Sequence, residues 1–254
     1  MFGRNKKAPA SQKFRTTIML EGQELPVTVY MERRLNTRFS ISRKGISLRI
    51  PGGQGNAFVQ AQLYELKEWL RVQVQKKPQL LAHFTPKTYS TGQTLQVGDR
   101  KYWIELKNSD RATSVAKLVG ETICLDISNK ADKFEEEKTI KTLLSRIVAN
   151  DYLPEITARV EEINQRTFRQ KINGVFLKYN HSNWGSCSIN GNVNLSTRLL
   201  FAPRPVQDYV ILHELAHLIE MNHSDRYWAL VERFMPDYRD KELWLKNHGK
   251  SCDF

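Results

Sequence analysis

Residues 213–223 read HELAHLIEMNH, and no other stretch limits the chain so tightly. On a helix, the HExxH spacing places His213 and His217 one turn apart on a single face. That separation suits one tetrahedral metal ion, and a nitrogen-rich set of this kind ordinarily holds Zn²⁺. Glu214 directly follows the first histidine, so its carboxylate points past the ion toward a bound water instead of ligating it. His223, six residues after His217, supplies a third nitrogen. A continuous helix would carry position 223 about 120° away from the ligand face. The helix must therefore stop first, and Asn222 is expected as the left-handed residue that turns it. Three protein ligands with one open position describe a catalytic zinc, not a structural one.

HExxH also arises by chance in helices, so its surroundings matter. Val210, Ile211, Leu212, Leu215, Ala216, Leu218 and Ile219 make this helix apolar on most of its circumference. Two histidines and a glutamate on such a helix are costly unless something satisfies them. Glu220, Glu232 and Glu242 are rival third ligands; His223 is preferred because its turn is local and its residue type matches.

The run from Trp184 to Trp244 carries WGSCS, then GNVNLSTRLLFAP, then DYVILHELAHLIEMNHSDRYWALVERFMPDY. In these pieces the chain resembles the YgjP-like metallopeptidases, a zincin-type family related to the SprT-like proteases. Arg33, Arg34, Arg38 and Ser40 resemble the family's basic N-terminal segment, so the likeness extends over roughly residues 15–248. The resemblance implies a zinc-dependent hydrolase with His213, His217 and His223 as ligands and Glu214 as base. The ligand spacing also equals that of the metzincins, but Glu220 stands where those proteases place a glycine. Zincins hold an extended peptide against an edge strand beside the metal. In the Trp184–Thr197 hairpin, the strand that immediately precedes the metal helix is the expected edge of the substrate site. Trp184, Ser186, Asn192 and Asn194 are its expected substrate-binding residues.

Charge divides the chain. Residues 1–130 contain 22 Lys/Arg against 10 Asp/Glu, whereas residues 131–254 contain 17 of each. The excess invites an anionic partner such as nucleic acid or nucleotide. Arg33, Arg34, Arg38, Arg43 and Lys44 cluster within two adjacent predicted strands. No apolar stretch is long enough to span a bilayer. The N-terminus lacks the apolar region of a secretory signal, and three well-separated cysteines suit a reducing compartment. The expectation is a cytoplasmic protein.

The pattern predicts an α+β chain: a flexible basic tail over residues 1–13, a β-rich basic region with one helix over 14–130, and a zincin-like catalytic domain over 131–254. Short β-branched segments suggest a small antiparallel sheet at the start, and AFVQAQLYELKEWLRVQVQKK has helical spacing. No internal repeat is evident. Pro154 is expected to begin a new helix, and Asn190-Gly191 to form a two-residue hairpin turn. The function these features imply is a zinc metallopeptidase that cleaves peptide bonds through a metal-activated water, with Glu214 as general base. One alternative is a metal-dependent nucleoside triphosphate hydrolase, an activity associated with the resembled family. Another is a nucleic-acid-associated binding protein with a structural metal site.

Overall fold

The computed structural model describes residues 11–42, 45–77, 89–130 and 133–254. The chain forms two compact units, Met1–Pro86 and Lys87–Phe254. Residues 1–10 of the expected tail lie outside the described residues, and the first strand already begins at Gln12.

The first unit contains β1 (Gln12–Leu20), β2 (Gln23–Glu32), β3 (Arg38–Ser42), β4 (Gly45–Pro51) and α1 (Asn56–Lys76). Alternation along β2 and β4 sends Leu25, Val27, Val29, Met31, Ile46, Leu48 and Ile50 to one face. On α1, Val59, Leu63, Leu66, Leu70 and Val74 recur every three or four residues and complete that core. The sheet order is β1-β2-β4-β3. Both hairpins are antiparallel, but β2 and β4 run parallel, so the sheet is mixed where an antiparallel one was expected.

The second unit opens with β5 (Thr94–Val97), β6 (Arg100–Ser109), β7 (Val115–Val119) and β8 (Thr122–Ser128), ordered β5-β6-β8-β7. This is the topology of the first sheet again, two antiparallel hairpins joined through a parallel central pair. The repetition lies in strand pairing rather than in residue identity, so the sequence does not display it. The expected boundary at 130/131 differs from the observed division. It followed a change in charge, which is a surface property, whereas Ile104, Ile123, Leu125 and Ile127 share one core with the following helix and the HExxH helix.

That following helix, α2 (Lys133–Arg166), is continuous through Pro154, where two helices were expected. Proline there removes the amide that would bond back one turn. The buried stripe continues nonetheless, from Leu144, Val148 and Tyr152 to Ile156 and Val160. Arg100 bonds the carbonyl and carboxylate of Asp151, each at 2.8 Å, and reaches Glu155 at 3.0 Å, bracketing the proline.

A three-stranded sheet follows, made of β9 (Gly174–Lys178), β10 (Gly185–Cys187) and β11 (Asn192–Ser196), in the order β10-β11-β9. The β10–β11 loop has three residues, Ile189 to Gly191, closed by Gly191 N–H donating to the Ser188 carbonyl at 2.9 Å. Gly191 has φ +73°, the left-handed position of a type I turn with a bulge, which replaces the expected two-residue turn. The chain then enters a 3₁₀ turn (Thr197–Phe201), α3 (Arg204–Ala216), α4 (Asp225–Phe234) and α5 (Tyr238–His248). No described helix is long and apolar enough to cross a membrane.

Candidate metal centre

Helix α3 is apolar around most of its surface and buries Val206, Tyr209, Val210, Ile211, Leu212 and Leu215, which fixes its axis in the core. It ends at Ala216, with His217 as the residue after its last turn. Two 3.0 Å bonds then turn the chain, Leu218 N–H to the Leu215 carbonyl and Ile219 N–H to the Ala216 carbonyl. The expected left-handed Asn222 is not found. The only non-glycine residues with positive φ among those described are Glu21 and Arg169. Hydrogen-bonded turns with no positive-φ residue reverse the chain. His223 arrives next to Ser224, whose hydroxyl accepts from Tyr227 N–H at 3.3 Å and starts α4. Two helix ends thus deliver the three imidazoles.

Their ring centroids lie 5.2, 5.0 and 4.7 Å apart for the pairs 213–217, 213–223 and 217–223. One nitrogen from each falls within 4.8 Å of the others, and Nε2 of His213 and His223 are 3.1 Å apart. Two nitrogens about 2.05 Å from a tetrahedral ion would be separated by about 3.3 Å. His217 Nδ1 bonds the Glu220 carbonyl at 3.1 Å, which assigns the proton to Nδ1 and leaves Nε2 as a lone-pair donor. Burial, then the neighbouring His217 and His223, push the His213 pKa down to about 3. Burial also lowers that of His217. Three converging imidazole nitrogens fit a divalent cation. His213 Nδ1 is buried with no hydrogen-bond partner, and its Nε2 faces the His223 imidazole. His217 is buried and His223 exposed, so one side of the set faces solvent.

Tyr227 packs against all three rings, with centroids 5.2, 4.6 and 4.7 Å from His213, His217 and His223. It is fully buried, and its hydroxyl donates to the His213 carbonyl at 2.9 Å. Trp228 stacks on His223 at 5.7 Å and on Tyr238 at 5.2 Å. Sequence reasoning missed Tyr227 and Trp228. Their signal was the placement of two large aromatics within the first turn after the Ser224 cap.

Glu214 is 5% exposed, and burial raises its pKa to about 8. Its carboxyl lies against Gly185 of β10, where a β-carbon would come within 2.5 Å of Oε1. Sequence reasoning also missed Gly185. Its φ is not positive, so space rather than backbone conformation calls for glycine here. Cys187, two residues on, has its thiol pushed up to about 11 by burial and then by the Glu214 charge.

The four expected substrate contacts are not gathered at the histidines. Strand alternation puts Ser186, Asn192 and Asn194 on the face opposite Gly185 and Cys187, hence away from Glu214. Trp184 carries the Arg198 guanidinium 4.6 Å above its ring, and its indole fills the space left by the missing side chain of Gly249. The expected edge strand changes too: β11 lies in the centre of its sheet, and β10 is the edge. Ser188 N–H bonds the Asn192 carbonyl at 3.0 Å and Ser196 N–H bonds the Trp184 carbonyl at 2.8 Å. Antiparallel alternation then directs the main-chain groups of Gly185 and Cys187 outward. Asn183 Nδ2 meets the Gly185 carbonyl there at 2.9 Å.

The sequence profile of the YgjP-like metallopeptidase domain matches residues 35–248, which includes every residue of this site. The chain belongs to the YgjP-like metallopeptidase family. This YgjP-like chain is therefore a hydrolase of metallopeptidase type with a mixed α+β fold. None of the curated proteins compared with it matches. Among solved structures it is similar to the metallopeptidase zymogen abylysin of Pyrococcus abyssi, with 24% identity and a TM-score of 0.33. The match covers 37% of this chain and 93% of that one.

Proposed function

We propose that this chain is a zinc-dependent, zincin-like peptidase in which His213, His217 and His223 hold the ion and Glu214 is the general base. The observation that carries this reading is the buried Glu214 carboxyl, next in sequence to one of three converging imidazoles. Three nitrogens with one solvent-facing side suit zinc in its catalytic, open form. A bound zinc ion supplies Lewis acidity, polarising a scissile carbonyl and lowering the pKa of water to about 7. Glu214, buried and next in sequence to His213, is the carboxylate that would take a proton from the attacking water. The same carboxyl then returns that proton to the leaving amine. Tyr227 keeps the imidazoles in place through its ring contacts. The outward main-chain groups of Gly185 and Cys187 align an extended peptide as an added strand, so β10 contributes its backbone rather than the expected side chains.

Hydrolysis of a nucleoside triphosphate would call for paired ions or an arginine clamp. The described residues gather one three-nitrogen set. A structural zinc would be enclosed by four protein ligands, whereas exposed His223 leaves this set open on one side. The test is zinc content after equilibrium dialysis. Wild type should bind one ion per chain and His223→Ala should lose it, because two ligands do not enclose the ion. Full occupancy in His223→Ala would remove that residue from the set and bring Glu220 forward.

A further inference from the structure

Residues 1–86 carry 15 Lys/Arg against 5 Asp/Glu, while residues 87–254 carry 24 against 22. The first unit's sheet buries one face against α1, and the residues that alternate with that core stand on the other face. Strand register puts Lys13 opposite Tyr30, Tyr30 opposite Arg49, and Arg49 opposite Arg38. One row therefore crosses all four strands as Lys, Tyr, Arg, Arg. The next row reads Arg15, Thr28, Ser47 and Ser40, with the two serine hydroxyls 2.7 Å apart. The Lys13 ammonium and Arg49 guanidinium lie 5.5 and 4.3 Å from the Tyr30 ring centroid. Lys13, Arg15 and Arg38 are exposed and, among the described residues, join no ion pair. The acidic residues on this face are Glu24 and Glu32, and Glu32 is engaged by Arg49 at 2.7 Å and Arg34 at 3.5 Å.

We propose that this open sheet face binds single-stranded nucleic acid. Phosphates would lie on Lys13, Arg15 and Arg38, with the hydroxyl row bonding their oxygens and a base stacking at Tyr30 and Arg49. Four strands at about 4.8 Å spacing span roughly 14 Å. An aromatic ring framed by cations on a flat sheet suits unstacked bases better than a duplex. The cluster expected from sequence is dispersed in the structure. Arg34 is committed to Glu32 and the Asn36 carbonyl, Arg43 and Lys44 lie outside the described residues, and of the five only Arg38 falls on this row.

The test is fluorescence anisotropy of a short labelled oligothymidylate with the full chain across a salt series. A triple variant, Lys13→Gln, Arg15→Gln and Arg38→Gln, is compared with Arg71→Gln, Lys76→Gln and Lys77→Gln, exposed residues at the end of α1 and just after it, which removes the same charge. Circular dichroism confirms that both variants fold. The sheet variant should bind at least about tenfold more weakly, and its log–log salt slope should flatten by about 2, at ~0.7 per lost phosphate contact. The α1 variant should stay close to wild type, and Tyr30→Leu should weaken binding without changing the slope. No binding by wild type, equal losses in both triple variants, or tighter binding to a duplex of the same length would overturn the proposal.

Discussion

Gly185 and Glu214 occupy a space that holds one side chain. A β-carbon on residue 185 would sit 2.5 Å from Glu214 Oε1 and 2.6 Å from its Cγ, so the carboxyl can stand here only because β10 contributes a bare Cα. Gly185→Ala should displace the carboxyl by a fraction of an ångström to an ångström. Misplacement on that scale costs on the order of 100-fold in rate. The variant should therefore lose kcat while keeping zinc, since no ligand is touched. Unchanged kcat would mean that Glu214 has other room or another role.

Tyr227 should matter in two separable ways. Tyr227→Phe removes only the bond to the His213 carbonyl and should cost about 1 kcal/mol in urea unfolding of the metal-free protein. Tyr227→Ala also removes the ring that contacts all three imidazoles and should cost about 3–5 kcal/mol. Zinc affinity, measured by chelator competition, should fall sharply for the alanine variant and little for phenylalanine.

Metal-free protein should show opposing pH effects from the same helix. Glu214 is raised to about 8 by burial, so its neutral form is favoured in the fold. Its contribution is fully present below its unfolded value and is lost as pH rises through 8. His213 is lowered to about 3, so its contribution is present above its unfolded value and is lost as pH falls toward 3. Glu214→Gln should therefore stabilise the metal-free protein increasingly from pH 5 to pH 8, with a ceiling of roughly 5 kcal/mol at 1.36 kcal/mol per unit. Urea midpoints at the two pH values check it, and a difference independent of pH would contradict the assignment.

Arg198 is buried against Trp184. Its guanidinium donates to the carbonyls of Cys252, His181 and Gly249 while resting on Trp184. Arg198→Ala leaves those buried acceptors without this partner and should cost about 3 kcal/mol in unfolding free energy. Arg198→Lys cannot reproduce the fork and should recover only part of the loss.

Legibility from sequence followed the range of each signal. The HExxH helix and α1 declare themselves through apolar spacing, and the Ser224 cap is a local rule. Pro154 misled because buried contacts along α2 outweigh one lost amide bond. The left-handed role given to Asn222 failed because hydrogen-bonded turns without any positive-φ residue reverse the chain. Strand order was invisible: nothing local says that β11 lies inside its sheet and β10 at the edge. Gly185 and Tyr227 were read as parts of a motif, and only three-dimensional contact reveals what each one touches.

The central claim is that Glu214 transfers the proton in a zinc-dependent peptide cleavage. It is tested most directly by zinc-loaded wild type and Glu214→Gln acting on an unfolded protein substrate, with cleavage followed by mass spectrometry and zinc measured in the same samples. Glutamine keeps the shape and loses the base. The account predicts equal zinc and a cleavage rate lowered by about 100-fold or more. Cleavage by the glutamine variant at the wild-type rate, with zinc fully bound in both, would contradict it.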